Sequence, residues 1–87
     1  MTHERLETLR YIGQWRVVTA DGVASALGIS YNTAVRRLER MRDMGLVRSD
    51  TNFVMQKEFG PVHLDWSLTR NGRKRLEYFE QHLREVA

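Results

Sequence analysis

The sequence predicts a small α+β domain, ordered helix, helix, turn, helix, hairpin, helix. Three observations carry that prediction. Ala34, Leu38 and Met41 recur at spacings of four and three, which places them on one stripe of a helix. Val62, Leu64, Trp66 and Leu68 alternate with His63, Asp65 and Ser67, the period of a strand with one buried face. Leu76, Phe79, Leu83 and Val86 return to the helical period and mark a last amphipathic helix.

Residues 4–15 read as the first helix, with Leu6, Leu9 and Ile12 at every third position and Gly13 alongside. Tyr11 and Trp15 are expected at its edges, in core or subunit contacts. His3 is a frayed terminal residue, and Gly13-Gln14 weakens the helix end. Arg16-Val17-Val18 is short and extended, suited to a minor strand. Thr19 then caps a second helix, because its hydroxyl can accept an amide proton that the first turn leaves unpaired. Val23, Ala26 and Leu27 are assigned to the inward face of that helix. Gly28 ends it, since glycine adopts the left-handed conformation without a Cβ clash. Ile29 precedes a second cap, Ser30, and the third helix runs to Asp43 before Gly45 returns the chain to extended Leu46-Val47.

After Val47, the polar turn formers Ser49, Asp50, Thr51 and Asn52 are expected to interrupt the strand. Phe53 and Met55 then alternate with Val54 and Gln56, and Glu58-Phe59-Gly60-Pro61 reads as a turn. The hairpin tip is therefore placed near 57–61, with Trp66 and Leu68 facing the helices. Thr69 caps a terminal helix over 70–86, whose apolar stripe Leu76, Phe79, Leu83 and Val86 is widened by Tyr78. That stripe exceeds what closing a small domain requires. It is assigned to a homodimer interface, the alternative being a helix folded back on helix one.

Composition bounds the function. A chain of 87 residues makes one small domain, taken as 1–87, with a core that a second subunit could enlarge. The absence of cysteine excludes disulfides and thiolate metal sites. No long apolar run and no secretory start appear, so a soluble cytoplasmic protein is expected. The net charge is +3, and 12 of the 14 basic residues are arginine. Residues 30–48 hold Arg36, Arg37, Arg40, Arg42 and Arg48 against Glu39 and Asp43.

With Ala34, Leu38 and Met41 inward, a rotation of about 100° per residue turns Asn32, Arg36, Glu39 and Asp43 outward. Tyr31 and Thr33 occupy the first turn. A helix N-terminus with amide, hydroxyl and guanidinium groups suits the major groove of DNA: its free amides favour phosphate, arginine reads guanine and asparagine reads adenine. Asn32 and Arg36 are assigned to base edges, and Tyr31 and Thr33 to phosphate or a thymine methyl. Arg37, nearer the buried side, is expected to snorkel to the DNA backbone, and Arg40 to contact phosphate. The bland alternative is a solvated charged face on an ordinary helix pair.

Three segments carry a family resemblance. They are Val23-Ala24-Ser25-Ala26-Leu27-Gly28-Ile29-Ser30, Thr33-Ala34-Val35-Arg36-Arg37-Leu38 through Met44-Gly45-Leu46-Val47, and Trp66-Ser67-Leu68-Thr69-Arg70-Asn71-Gly72-Arg73. In that order the chain resembles a small winged helix-turn-helix transcription regulator, repressor-like and of bacterial or archaeal type. The resemblance implies a three-helix core, a two- or three-stranded wing sheet and a C-terminal dimerisation helix. It also implies that the helix 30–43 enters the major groove and that a wing near 48–62 lies over the backbone or minor groove. The DNA-binding set is then Ser30, Tyr31, Asn32, Thr33, Arg36, Arg37, Arg40, Arg48 and Lys57. The partner is double-stranded DNA, bound by a homodimer. The wing is weakly charged, with Arg48 and Lys57 offset by Asp50 and Glu58.

Catalysis finds no support in the sequence. His3, His63 and His82 lie in a tail, a strand and a helix, and none has a metal-ligand neighbour at a suitable spacing. Ser30 and Thr69 read as caps, and no phosphate-cradling glycine loop occurs. No cofactor and no metal are expected, and no residue nominates a small-molecule effector. Winged helices also serve as protein-interaction modules or subunits of larger complexes, which is the competing function.

Overall fold

The computed structural model describes residues 3–51 and 64–86, with side chains over 3–50 and 64–82. Three helices come first: α1 (His3–Trp15), α2 (Ala20–Leu27) and α3 (Tyr31–Asp43). Two strands follow, β1 (Val47–Thr51) and β2 (Leu64–Leu68), and then the helix α4 (Arg70–Val86).

The caps form as the sequence predicts. Thr19 Oγ1 accepts the Gly22 amide at 3.0 Å, and Ser30 Oγ accepts the Thr33 amide at 3.1 Å. Gly28 closes α2 at φ 66°, and Gly45 follows α3 at φ 76°. Both glycines occupy the left-handed region, where an L side chain is strained.

The core lies where α1, α2 and α3 meet the sheet. Leu9, Ile12, Val23, Ala34, Leu38 and Met41 are fully buried there, and Val47 and Trp66 nearly so. Ala34, Leu38 and Met41 supply the α3 stripe, as their spacing requires. On α2 the inward face is Ala20, Val23 and Ala24 instead, and Ala26 is exposed. The reason is angular. Ala20, Val23, Ala24 and the half-buried Leu27 fall within one sector of about 100°, and Ala26 lies well outside its centre. On α1, Tyr11 is half-buried against the core, but Trp15 is 59% exposed.

The sheet corrects a second expectation. Ser49, Asp50 and Thr51 do not break the strand; they belong to β1, paired antiparallel with β2. Val47 lies opposite Leu68, Ser49 opposite Trp66, and Thr51 opposite Leu64. Pairing with a strand far along the chain outweighs the local turn preference of these residues. Phe53, Met55 and the hairpin tip near 57–61 lie outside the described residues. The minor strand expected over 16–18 is a single bridge. Val18 and Trp66 exchange backbone hydrogen bonds of 2.9 and 2.8 Å, after Arg16 has turned through φ 67°.

Thr69 organises the return into α4. Its Oγ1 accepts the Gly72 amide at 3.0 Å and donates to the Gly45 carbonyl, while its own amide reaches the Leu46 carbonyl at 3.1 Å. The first half of α4 packs against α1. Leu76 joins the core, and Arg10 on α1 lies 3.7 Å from Glu80 on α4. Leu76 thus serves its own chain, as the folded-back alternative requires. Phe79 is half-buried and meets Tyr78 edge-to-face at 5.3 Å. The side chains of Leu83 and Val86 lie outside the described residues.

Candidate nucleic-acid interface

The cap at Ser30 fixes where α3 begins, and the buried stripe fixes its rotation. Together they set which side chains reach solvent. Asn32, Thr33, Arg36, Glu39, Arg40 and Asp43 are all exposed, and Tyr31 is 54% exposed at the first turn. Ser30 Oγ also donates to Thr33 Oγ1 at 2.8 Å. Because Thr33 Oγ1 accepts that bond, its own hydroxyl proton is directed elsewhere. The outer surface of α3 is therefore a row of polar and charged side chains of both signs, anchored on a fully buried stripe, which is a rigid way to present them.

Arg37 lies toward the buried side, as its place on the helix predicts. Its side chain is only 15% exposed, with Nη2 3.7 Å from Glu4 and Nη1 3.4 Å from Thr8 Oγ1. Thr8 is itself buried and donates to the Glu4 carbonyl at 2.9 Å. Arg37 thus ties α3 to α1 and does not extend from the outer face. Arg48 is exposed at the start of the wing, and its Nη2 lies 3.2 Å from Asp50 Oδ1. Lys57 lies outside the described residues.

Arg42 was not among the residues that sequence reasoning nominated. Its guanidinium lies 5.3 Å from the Trp66 ring centroid, and its Nη1 donates to Ser49 Oγ at 2.9 Å. One side chain on the last turn of α3 thereby grips both strands. A cation over an indole face contributes about 0.5–1 kcal/mol at an exposed site. The local signal was an arginine in the last helical turn, where the macrodipole favours a cation; its aromatic partner is remote in sequence.

Beside α3 the surface falls into two hollows. On the α2 and sheet side, Thr19, Asp21, Tyr31, Glu39, Arg42 and Trp66 border one. On the α1 side, Thr33, Arg36, Arg37 and Arg40 meet Glu4 and Arg5. The basic residues are concentrated on the α1 side, whereas the acidic Glu39 and Asp21 face the other hollow. No group of three or more histidine, aspartate or glutamate side chains that could hold a metal occurs among the described residues. Among these residues no helix is long and apolar enough to cross a membrane.

No protein-family model matches the chain, and no curated protein sequence does. Solved structures do match. A mutant of Staphylococcus aureus MepR bound to an oligodeoxyribonucleotide superposes with a TM-score of 0.87 at 22% identity, over 99% of this chain and 60% of that one. Streptococcus pneumoniae FabT in complex with DNA gives 0.84 at 16% identity, over 99% and 57%. A mutant of Escherichia coli MarR complexed with operator DNA gives 0.83 at 20% identity, over 93% and 54%. At these identities the likeness is one of fold: the chain has the winged helix-turn-helix architecture that these structures share. It spans little more than half the length of the chains it matches.

Proposed function

We propose that this chain is the DNA-reading domain of a sequence-specific transcription regulator, a repressor, that acts by binding double-stranded DNA and not by catalysis. The observation that carries the proposal is the outer face of α3, where Asn32, Arg36 and Arg40 stand exposed above the buried Ala34, Leu38 and Met41. Asn32 and Arg36 read base edges, Tyr31 and Thr33 touch phosphate or a thymine methyl, and Arg40 contacts phosphate. The wing near 48–62, with Arg48 and Lys57, lies over the backbone or minor groove. The DNA held by MepR, FabT and MarR in the superposed structures supports the same mode of action here. The site of action is the cytoplasm.

The active species is a homodimer. Leu76 packs on its own chain, so the interface is assigned to the later turns of α4, at Phe79, Leu83 and Val86. A two-fold dimer reads a near-palindrome with half-sites about one helical turn apart, ~34–36 Å. The test is selection of duplexes from a random pool at near-physiological salt. Enrichment of one near-palindromic sequence is the expected result; a pool that stays random would sink the proposal.

One observation favours a second reading, a winged-helix module that binds protein. Glu39 and Asp43 share the outer face of α3 with Arg36 and Arg40, and Arg48 is paired with Asp50. Under that reading the selection enriches nothing, and binding to any duplex is weak.

A further inference from the structure

The hollow on the α1 side of α3 is a notch of about 310 Å³. Two residues of α1, Glu4 and Arg5, and four of α3, Thr33, Arg36, Arg37 and Arg40, line it. The lining brings four guanidinium groups together against one carboxylate. Arg36 and Arg40 are a like-charged pair one helical turn apart, an arrangement that destabilises a helix on its own. Arg37 forms the inner wall, held by Glu4 and Thr8. Among the described residues Glu4 offers the only acidic side chain in the lining, and it lies against Arg37. Such a cluster favours an anion that several arginines can share. Guanidinium forks match the oxygens of a phosphate, and Thr33, with a hydroxyl proton not used toward Ser30, adds a neutral donor.

We propose that this notch is a phosphate site, in which Arg5 on α1 joins Thr33 and Arg40 on α3 to hold a phosphodiester of the duplex beside the groove that α3 reads. The inference rests on the DNA-reading assignment above. It extends the interface to a helix outside the helix-turn-helix pair. A helix seated in a major groove has a phosphate strand along each wall of that groove. The notch occupies the α1 wall and adjoins Arg36, one of the residues assigned to base edges. Arg5 therefore positions the protein on the backbone without reading sequence.

The test uses the parent chain, Arg5→Ala and Arg5→Gln, each first shown by circular dichroism and melting to be folded. The selected duplex and a scrambled one are titrated at several salt concentrations. Loss of one phosphate contact lowers the salt slope by about 0.9, so each variant's affinity should fall about three- to fourfold less than the parent's between 50 and 200 mM salt. The ratio of affinities for the two duplexes should stay at the parent's value. A parental slope in both variants overturns the proposal, and so does a changed ratio, which would make Arg5 a reader of bases.

A second arm needs no DNA. Inorganic pyrophosphate is titrated into isotope-labelled parent and Arg5→Ala, and backbone amide shifts are followed. Saturable shifts confined to Arg5 and the Thr33–Arg40 turn, weakened in the variant, support the notch. Diffuse shifts, or none, overturn it. If the parent binds no duplex at all, the DNA-reading assignment fails, and this arm alone decides between a site for a free phosphate compound and no site. Pyrophosphate binding with an unaltered DNA slope would likewise assign the notch to a free phosphate ligand and overturn the backbone contact.

Discussion

Replacing Gly72 with alanine sets two physical effects against each other. Gly72 lies in the first turn of α4 and is buried. Helix propensity alone favours alanine there by up to about 1 kcal/mol. Packing opposes it. A Cβ at this position would overlap the Leu46 carbonyl oxygen and stand 2.9 Å from the carbonyl carbon and 3.3 Å from Cα. These are backbone atoms, and none can rotate away. The same carbonyl accepts the Thr69 amide at 3.1 Å, so moving it also disturbs the cap of α4. Overpacking against a fixed neighbour costs about 1–3 kcal/mol, and the geometry places this case at the upper end. The net loss is about 2 kcal/mol after the helix gain. For a domain of this size that lowers the melting temperature by roughly 8–16 °C. Gly13→Ala is the matched control. Its added Cβ would meet Leu76 Cδ2 at 2.9 Å and Leu68 Cδ1 at 3.3 Å, both ends of side chains that can swing aside. Its stability should stay within about 1 kcal/mol of the parent. Thermal melts followed by circular dichroism, with urea titration for the free energies, read both variants. A Gly72→Ala protein that melts at or above the parent would refute the reasoning.

Arg36→Ala should lose ~1–3 kcal/mol against the preferred duplex and relax specificity at one position; a variant that binds preferred and scrambled duplexes as the parent does shows that α3 is not the reader. Arg40→Ala should weaken all duplexes similarly and reduce the salt slope by roughly one unit, measured by the same titration; a loss confined to the preferred duplex would contradict a phosphate role. Both side chains are exposed, so melting temperatures should change little. Sedimentation at tens of micromolar should find a dimer. Phe79→Glu should shift it to monomer with its circular dichroism unchanged, and an intact chain that sediments as a monomer would remove α4 from the interface.

What the sequence revealed, and what it concealed, divides by range along the chain. The stripe of α3, the caps at Thr19, Ser30 and Thr69 and the left-handed Gly28 are fixed by neighbours within one or two turns. Each could be read from spacing and residue type. The rotation of α3 followed from its stripe, so the exposure of Asn32, Arg36 and Arg40 was legible too. Contacts between distant segments were not. Ser49, Asp50 and Thr51 look like turn formers until β2 pairs with them. Nothing near Arg37 in sequence discloses that Glu4 and Thr8 hold it. The same distance hid Arg5 beside Arg36 and Arg42 over Trp66.

The bridge between Val18 and Trp66 fixes how the sheet sits on the helices. Two reciprocal hydrogen bonds fasten the middle of β2 to the link between α1 and α2. Arg42 presses on the same indole from the end of α3. The sheet is therefore attached to the helices at a point well inside β2, and not only through the covalent links that flank it. A hinge at Gly45 alone cannot swing β2 away from α3 without also breaking both bridge bonds and exposing a buried tryptophan. A one-residue slip of the strand is blocked as well, since it would turn Trp66 to the opposite face. The angle between α3 and the sheet is set by the fold itself.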